Sequence, residues 1–356
     1  MIRRYLVTGA SGFVGTYLVA DLAQRGYDVV ATSRRRPGYL DREAFARVRF
    51  APADIRIPGA LDAALEGVER VYHVAALFDF FARERDLLRT NVEGTRNLLT
   101  ASARAGVKEF VLFGSGAIYG KEYENRLARE EDPPRPTDAY ARSKWEQERA
   151  AVEANRGGLA VLTLRPGAIY GPGSVYGDAR ALYLLKKGLL FGKPGMAAVV
   201  SSHVHVRDVV RAATWLADRR ESWLPGSNDP SAFVYNLADR SPALTHELLA
   251  AAAREVRDKG LLGFWNLRIP AWSLKLSAHV VEACARLLRI RPLFEVDSID
   301  YITCGHGLAN GRLLASGFEF DYPDLMDGLR ATIRWYEETG WSVFREPEQV
   351  LWGLVG

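Results

Sequence analysis

Thr8-Gly9-Ala10-Ser11-Gly12-Phe13-Val14-Gly15 is the stretch whose reading decides the fold of this chain. Its glycines, at three-residue spacing, follow an apolar run that begins at Tyr5 and open a helical pattern. A turn of this kind between a first strand and a first helix lets the backbone approach a pyrophosphate. The helix N-terminus then sets free N–H groups and a positive dipole against the phosphates. Gly9 is expected at the tight turn, Gly12 at the close approach and Gly15 where the helix packs on the sheet. Ser11, Phe13 and Val14 complete the expected cofactor contact.

Working outward, β-rich apolar runs alternate with helical patterns at the rhythm of a parallel sheet. The pattern predicts strands at Arg4–Val7, Asp28–Thr32, Val48–Ala51, Arg70–Val74, Phe110–Phe113 and Ala160–Leu164. Helices are predicted at Phe13–Arg25, Leu61–Glu66, Arg85–Ala105, Ala139–Ala154 and Arg207–Asp218. The expected class is α/β, a Rossmann doubly wound parallel sheet followed by a smaller, mostly helical C-terminal substrate domain. The dinucleotide domain is placed at 1–166 and completed by about 204–238, with 167–203 and 239–356 forming the substrate domain.

The end of the second strand reads Ala31-Thr32-Ser33-Arg34-Arg35-Arg36, with no acid for the ribose hydroxyls of NAD(H). Arg34 can meet a 2'-phosphate through a forked, charge-assisted contact, and Ser33 can donate a hydroxyl hydrogen bond to it. NADP(H) is therefore favoured, with NAD(H) left open, and Arg35 and Arg36 read as solvated loop charges.

Tyr140-Ala141-Arg142-Ser143-Lys144 puts a phenol and an ammonium four residues apart on one helix face. A phenol with a pKa near 10 is a poor acid-base at neutral pH, but a neighbouring ammonium and an oxidised nicotinamide favour the phenolate. The hydroxyl can then exchange a proton with a substrate oxygen while hydride moves at carbon. Ser115, just past the C-terminal end of a buried strand where open α/β sheets place ligands, can hydrogen-bond that oxygen.

The order of the glycine turn, Asp54-Ile55, His73-Val74-Ala75-Ala76, Asn91-Val92-Glu93-Gly94-Thr95, Ser115, Tyr140 with Lys144, and Leu164-Arg165-Pro166-Gly167 resembles the extended short-chain dehydrogenase/reductase superfamily over nearly the whole chain. The resemblance implies that Asp54 and Ile55 meet the adenine and that Ala75 and Ala76 line the ribose and phosphate path. It also implies that Lys144 binds the nicotinamide ribose and that Pro166 touches the nicotinamide side. Asn91 reads chiefly as a structural hydrogen-bonder.

Within the superfamily, dehydratases resemble a pattern with Asp-Glu after the Ser or Thr, where this chain has Gly116-Ala117. Nucleotide-sugar epimerases resemble one with Asn where Ala168 stands and an Arg-Asp pair where Ser201-Ser202 stands. What remains is similar to the 3β-hydroxysteroid dehydrogenase and sterol 4α-carboxylate 3-dehydrogenase-like branch. That similarity implies ketone and secondary-alcohol interconversion on a hydrophobic 3-keto or 3-hydroxy lipid, sterol or polyketide-like substrate. Phe78 and Phe80 are expected to line the substrate pocket with Ser115 and Ala168. The alternatives are a sugar or nucleotide-sugar epimerase with bound NAD and a non-catalytic NADP sensor. Gly317–Pro323 and Gly328–Glu338 resemble the terminal strand and helix of the branch.

The remaining features bound the partners. The chain has 356 residues and a net charge of +4 with scattered bases, which makes nucleic acid a poor partner. Two cysteines and six histidines show no metal-ligand spacing, and the histidines read as structural. The first strand begins almost at Met1, leaving no room for a cleaved signal, so a cytoplasmic residence is expected. The apolar but charge-interrupted stretch 261–294 is expected to be either a lid or a peripheral membrane contact. A homodimer joined by Arg85–Ala105 and Ala139–Ala154 is implied by resemblance.

Overall fold

The computed structural model describes residues 3–121, 126–156, 158–219, 233–256, 265, 267–288, 290, 292 and 295–342. β1 (Arg4–Thr8) enters the glycine turn and α1 (Phe13–Gln24). β2 (Asp28–Thr32), the short β3 (Arg49–Phe50), β4 (Arg70–His73) and α2 (Glu84–Leu87) follow. A π-helical turn over Leu88–Glu93 leads into α3 (Gly94–Arg104), then β5 (Glu109–Phe113), α4 (Ala139–Arg156) and β6 (Ala160–Pro166). The chain then leaves the sheet through β7 (Ala168–Tyr170), α5 (Asp178–Lys186), β8 (Lys193–Pro194), β9 (Val200–Ser201), β10 (His203–His205) and α6 (Val206–Ala217). It returns as β11 (Val234–Leu237). β12 (Ala243–Leu244), α7 (Thr245–Glu255), β13 (Arg268–Ile269), α8 (Ala271–Leu288), α9 (Val296–Thr303), α10 (Gly311–Ala315) and α11 (Leu325–Glu338) complete the described elements.

The main sheet is seven-stranded and parallel, ordered β11-β6-β5-β4-β1-β2-β3. Strand order reverses between β1 and β4, which opens a crevice beyond their carboxyl ends, the usual ligand position of such sheets. Side-chain alternation divides the core between the two faces. Tyr5, Val7, Val29, Ala31, Tyr72 and Val111 share one cluster with Leu18 and Leu22 of α1 and Val209 and Val210 of α6. Leu6, Val30, Val71, Phe110, Leu112 and Val161 form the other with Leu98 of α3 and Ala150 and Ala151 of α4. A third core joins α5, α7 and α11 through Leu182, Leu185, Leu248, Leu249, Leu329, Ile333 and Tyr336.

Three expectations change. The predicted helix Leu61–Glu66 is a run of turns, bounded on both sides by glycines at positive φ, Gly59 and Gly67, that break the helical path. The helix predicted at Arg85–Ala105 is interrupted by the π turn that carries Asn91. Gly317–Pro323 forms no strand. Phe318 and Phe320 pack on the first core, and the amides of Asp321 and Tyr322 donate to the buried Asp208 carboxylate at 2.7 and 3.0 Å, so no strand neighbour is needed. Within 261–294, residues 261–264, 266, 289, 291, 293 and 294 lie outside the described residues. The rest forms β13 and α8, whose Trp272, Leu276 and Val280 are exposed. Among the described residues no helix is long and apolar enough to cross a membrane.

Candidate active site

The glycine turn shows how the sequence builds a cradle. Gly9 adopts φ +69°, and a Cβ there would sit 2.8 Å from the Ala75 backbone, so no other residue fits the approach of this turn to the end of β4. A Cβ on Gly12 would meet only Gly9 O, at 3.2 Å, which leaves its Cα facing open space at the start of α1. Gly15 corrects the expectation of packing on the sheet: its Cβ would collide with Gly9 O at 2.1 Å, so it packs on the turn itself. Gly9, Ser11, Gly12, Phe13, Val14 and Gly15 all line one cavity of about 1220 Å³. A single small-molecule site is usually about 300–1,000 Å³, so this one has room for a dinucleotide and part of a second ligand.

The same cavity is lined by Ser33, Arg34, Asp54, Ile55, Ala75, Ala76, Phe78, Phe80, Ser115, Tyr140, Pro166 and Ala168. At its outer end Arg36 pairs with Asp41 and Arg56 with Asp54, whereas Arg34 and Arg35 are exposed and unpaired among the described residues. The Arg56 hydrogen bonds, with help from Arg34, hold the Asp54 carboxyl down to about 2. Ser33 departs from expectation. Its hydroxyl donates to Arg35 O at 2.6 Å, so its hydrogen closes the loop and donation to a phosphate falls to the arginines.

At the inner end, Ser115 Oγ accepts from Ala117 N at 3.2 Å, which leaves its own hydrogen free to donate. Burial pushes the Tyr140 phenol above its usual value, and a hydrogen bond with Ser115 pulls it back. Around the Tyr140 ring stand Phe78 at 4.9 Å and Phe80 at 6.0 Å. Tyr176 packs on Phe78 at 5.4 Å and Tyr301 on Phe80 at 6.2 Å. Sequence reasoning found the phenylalanines and missed both tyrosines, which reach the site from the 171–177 loop and from α9.

Lys144 is the main correction. It is 2 % exposed and does not line the cavity; Nζ donates to Phe113 O at 2.7 Å and to Gln147 Oε1. The carbonyls of Phe113 and of the buried Gln147 solvate the ammonium inside the protein, away from the Tyr140 hydroxyl. Burial lowers Lys144 to about 7, partly offset by Glu148, and in this arrangement it is Ser115 that favours the phenolate. Two of its three protons are committed. Gln147, one helical turn from Lys144, was the overlooked signal. Its Nε2 donates to Thr95 Oγ1 at 2.8 Å, and Thr95 donates to Asn91 O at 2.6 Å. With that hydrogen spent, His73 Nε2 must donate to Thr95 (2.7 Å) and Thr8 to His73 Nδ1 (2.8 Å). Burial and Lys144 hold His73 down to about 3, which keeps the imidazole neutral for this relay. Asn91 Nδ2 ties the Leu77 carbonyl to Ser143 of α4, linking the Phe78 loop to the helix that carries Tyr140.

A buried carboxyl lies beyond β11. Asp239 is 1 % exposed, and neither of its oxygens has a close hydrogen-bond partner among the described residues. Burial raises it to about 7; His203 opposes this, Asp178 and Asp324 add to it, and the Ser241 backbone relieves little. The folded state therefore holds a proton that the unfolded chain loses near pH 4. Its contribution is fully present below pH 4 and is lost as pH rises to about 7. Asp239→Asn is expected to flatten the fall in Tm between pH 5 and pH 8. An identical fall in both proteins would show that Asp239 is not held protonated.

A doubly wound sheet with a glycine turn at its switch point, and a Ser115–Tyr140 pair opposite that turn, defines a Rossmann oxidoreductase of the short-chain type. Residues 5–238, more than half the chain, match the NAD dependent epimerase/dehydratase family, and the protein belongs to it. It is 28% identical to the dihydroflavonol 4-reductase of Hordeum vulgare, over 77% of this chain and 94% of that one. It is 29% identical to a 3 beta-hydroxysteroid dehydrogenase/Delta 5-->4-isomerase of Mycobacterium tuberculosis, over 80% of this chain and 70% of the relative. Among the relatives the matched share of their own length runs from 49% to 94%. A UDP-glucose 4-epimerase of Thermotoga maritima, solved with UDP-glucose, shares the fold with a TM-score of 0.72 at 22% identity, over 94% of this chain and 99% of that one. The family and its relatives are NAD(P)-dependent oxidoreductases, epimerases and dehydratases, and this chain is an enzyme of that class.

Proposed function

We propose that the protein interconverts a ketone and a secondary alcohol on an apolar substrate and prefers NADP(H) to NAD(H). The observation that carries this reading is the aromatic cluster of Phe78 and Phe80 against Tyr140, backed by Tyr176 on Phe78 and Tyr301 on Phe80, which gives the cavity an apolar wall beside the phenol. The cavity continues past it between Leu184, Leu248, Leu249, Leu274 and Ile299. The names of the relatives, a dihydroflavonol reductase and a hydroxysteroid dehydrogenase, agree with such a substrate.

A nucleotide sugar is disfavoured where its diphosphate would need cations. Ser201 and Ser202 stand there, and Ser202 Oγ already accepts from Leu308 N at 2.8 Å. The residues present suit a dinucleotide: the open backbone at Gly12, the start of α1 and the arginines at the outer end. A bound nicotinamide supplies the hydride exchange. Tyr140 gives a proton to the substrate oxygen, or takes one from it, while Ser115 donates to that oxygen and fixes its position.

The test is oxidation of NADPH and NADH by purified protein with ketosteroids, 2-alkyl-3-keto acids and aromatic ketones. Faster turnover with NADPH on apolar ketones is expected. Arg34→Asp should weaken NADPH about 10- to 100-fold, as loss of a charge-assisted contact and gain of repulsion imply, and leave NADH nearly unchanged. Unaltered affinities for both would sink the cofactor assignment.

A further inference from the structure

The cavity holds a second polar constellation that catalysis does not use. Asp178 opens α5, Ser201 ends β9 and His203 begins β10, and all three line the cavity. Asp178 Oδ2 lies 2.7 Å from His203 Nδ1, and His203 Nε2 lies 2.8 Å from Ser201 Oγ. Parallel pairing of β10 with β7, His203 opposite Ala168, carries His203 to the segment that leads into α5.

Hydrogen accounting shows what this trio can recognise. A carboxylate only accepts, so Nδ1 carries a hydrogen. When the imidazole is neutral, Nε2 accepts the Ser201 hydrogen. When it is charged, Nε2 donates to Ser201 Oγ and the serine hydrogen turns to Ala243 O, 3.5 Å away. In both states the serine hydrogen is committed and an oxygen lone pair is left, so the site presents an acceptor. Burial pulls His203 down, but the Asp178 carboxylate more than offsets it and holds the imidazole above its usual value. Either charge state therefore gives the same recognition.

Charge points the same way. Asp178 belongs to the trio and lines the cavity. Arg180 on α5 is already engaged by Glu295 Oε1 at 3.1 Å and Pro292 O at 2.7 Å. An incoming carboxylate or diphosphate would meet the Asp178 carboxylate and an acceptor. A neutral donor would complete the serine.

We propose that Ser201, positioned by His203 and Asp178, accepts a hydrogen bond from a hydroxyl that the apolar substrate carries away from its reacting carbon. This rests on the ketone and alcohol reading above and narrows it to neutral hydroxylated substrates, setting aside keto acids.

The test compares three ketones on the cofactor-supplied enzyme: androstanone, its far-ring alcohol dihydrotestosterone, and the corresponding far-ring carboxylic acid. The wild type should prefer the alcohol over androstanone about tenfold in kcat/KM, the effect of one well-made hydrogen bond. The acid should be poorest. Ser201→Ala should erase the preference by raising KM for the alcohol, with kcat on androstanone unchanged, and Ser201→Thr should restore it. Equal use of alcohol and androstanone, or preference for the acid, overturns the proposal.

Calorimetric binding of the same compounds separates the two readings. Hydroxyl-selective binding that Ser201→Ala abolishes, without turnover, would sustain the acceptor site and refute the reductase. Absent or unselective binding would refute the acceptor site whatever the turnover.

Discussion

Tyr140→Phe is expected to lower kcat about 100- to 10,000-fold while leaving dinucleotide affinity within about twofold, the range by which a positioned acid-base accelerates proton transfer. The geometry makes this substitution clean. The ring keeps its edge-on contacts with Phe78 and Phe80, so the aromatic cluster persists and only the hydroxyl is lost. Ser115 keeps its bond from Ala117 and still offers its hydrogen, but no group then delivers the proton. The checks are single-turnover kinetics for the chemical step and a fluorescence titration for cofactor affinity. Full activity in the variant would remove Tyr140 from the mechanism. Weakened cofactor binding with unchanged chemistry would assign it a mere packing role.

The second large effect concerns folding. Glu148 on α4 and Arg165 on β6 form an ion pair of which both side chains are almost wholly buried, with Arg165 Nε 3.1 Å from Glu148 Oε2. Arg165 also donates to Glu130 O at 3.0 Å and to Tyr119 Oη, and Tyr119 donates to Asn236 Oδ1 on β11 at 2.9 Å. Removing one charge strands the other in a dry interior, which costs about 3–5 kcal/mol. Glu148→Leu should therefore lower Tm by on the order of 4–7 °C in thermal unfolding followed by circular dichroism. Pairing it with Arg165→Met should recover most of the loss, because no charge is then left unmatched. A single variant as stable as the parent would mean that water reaches the guanidinium.

Periodicity and turn chemistry explain why the first half was legible. β1, β2, β4, β5 and β6 lie where apolar runs end at glycine or polar turns, and the α1 start follows from Gly12. Leu61–Glu66 differs because its apolar spacing suits a helix while the positive-φ glycines at 59 and 67 turn the chain on either side of it. Residue types foretold which side chains would meet at the cavity, but hydrogen-bond direction was invisible. Ser33 spends its hydrogen on Arg35, and Lys144 turns toward Gln147 and Phe113; both outcomes depend on acceptors that only the folded backbone supplies. In the sequence Ser201 reads as a lost diphosphate site and His203 as a structural histidine, and nothing singles out Asp178. Their convergence requires the β7 and β10 pairing, which no local pattern announces.

The return of the chain as β11 has a consequence for biogenesis. β6 pairs with β5 on one edge and waits for β11 on the other, from Thr163 opposite Val234 to Pro166 opposite Leu237. On a ribosome that partner emerges only after β7 to α6 have been made. Until then the nascent sheet exposes an apolar parallel edge, the kind of surface that recruits other chains. Errors in the chain between β6 and β11 would thus be read out first as trapped or aggregated sheets, before any loss of activity could be measured.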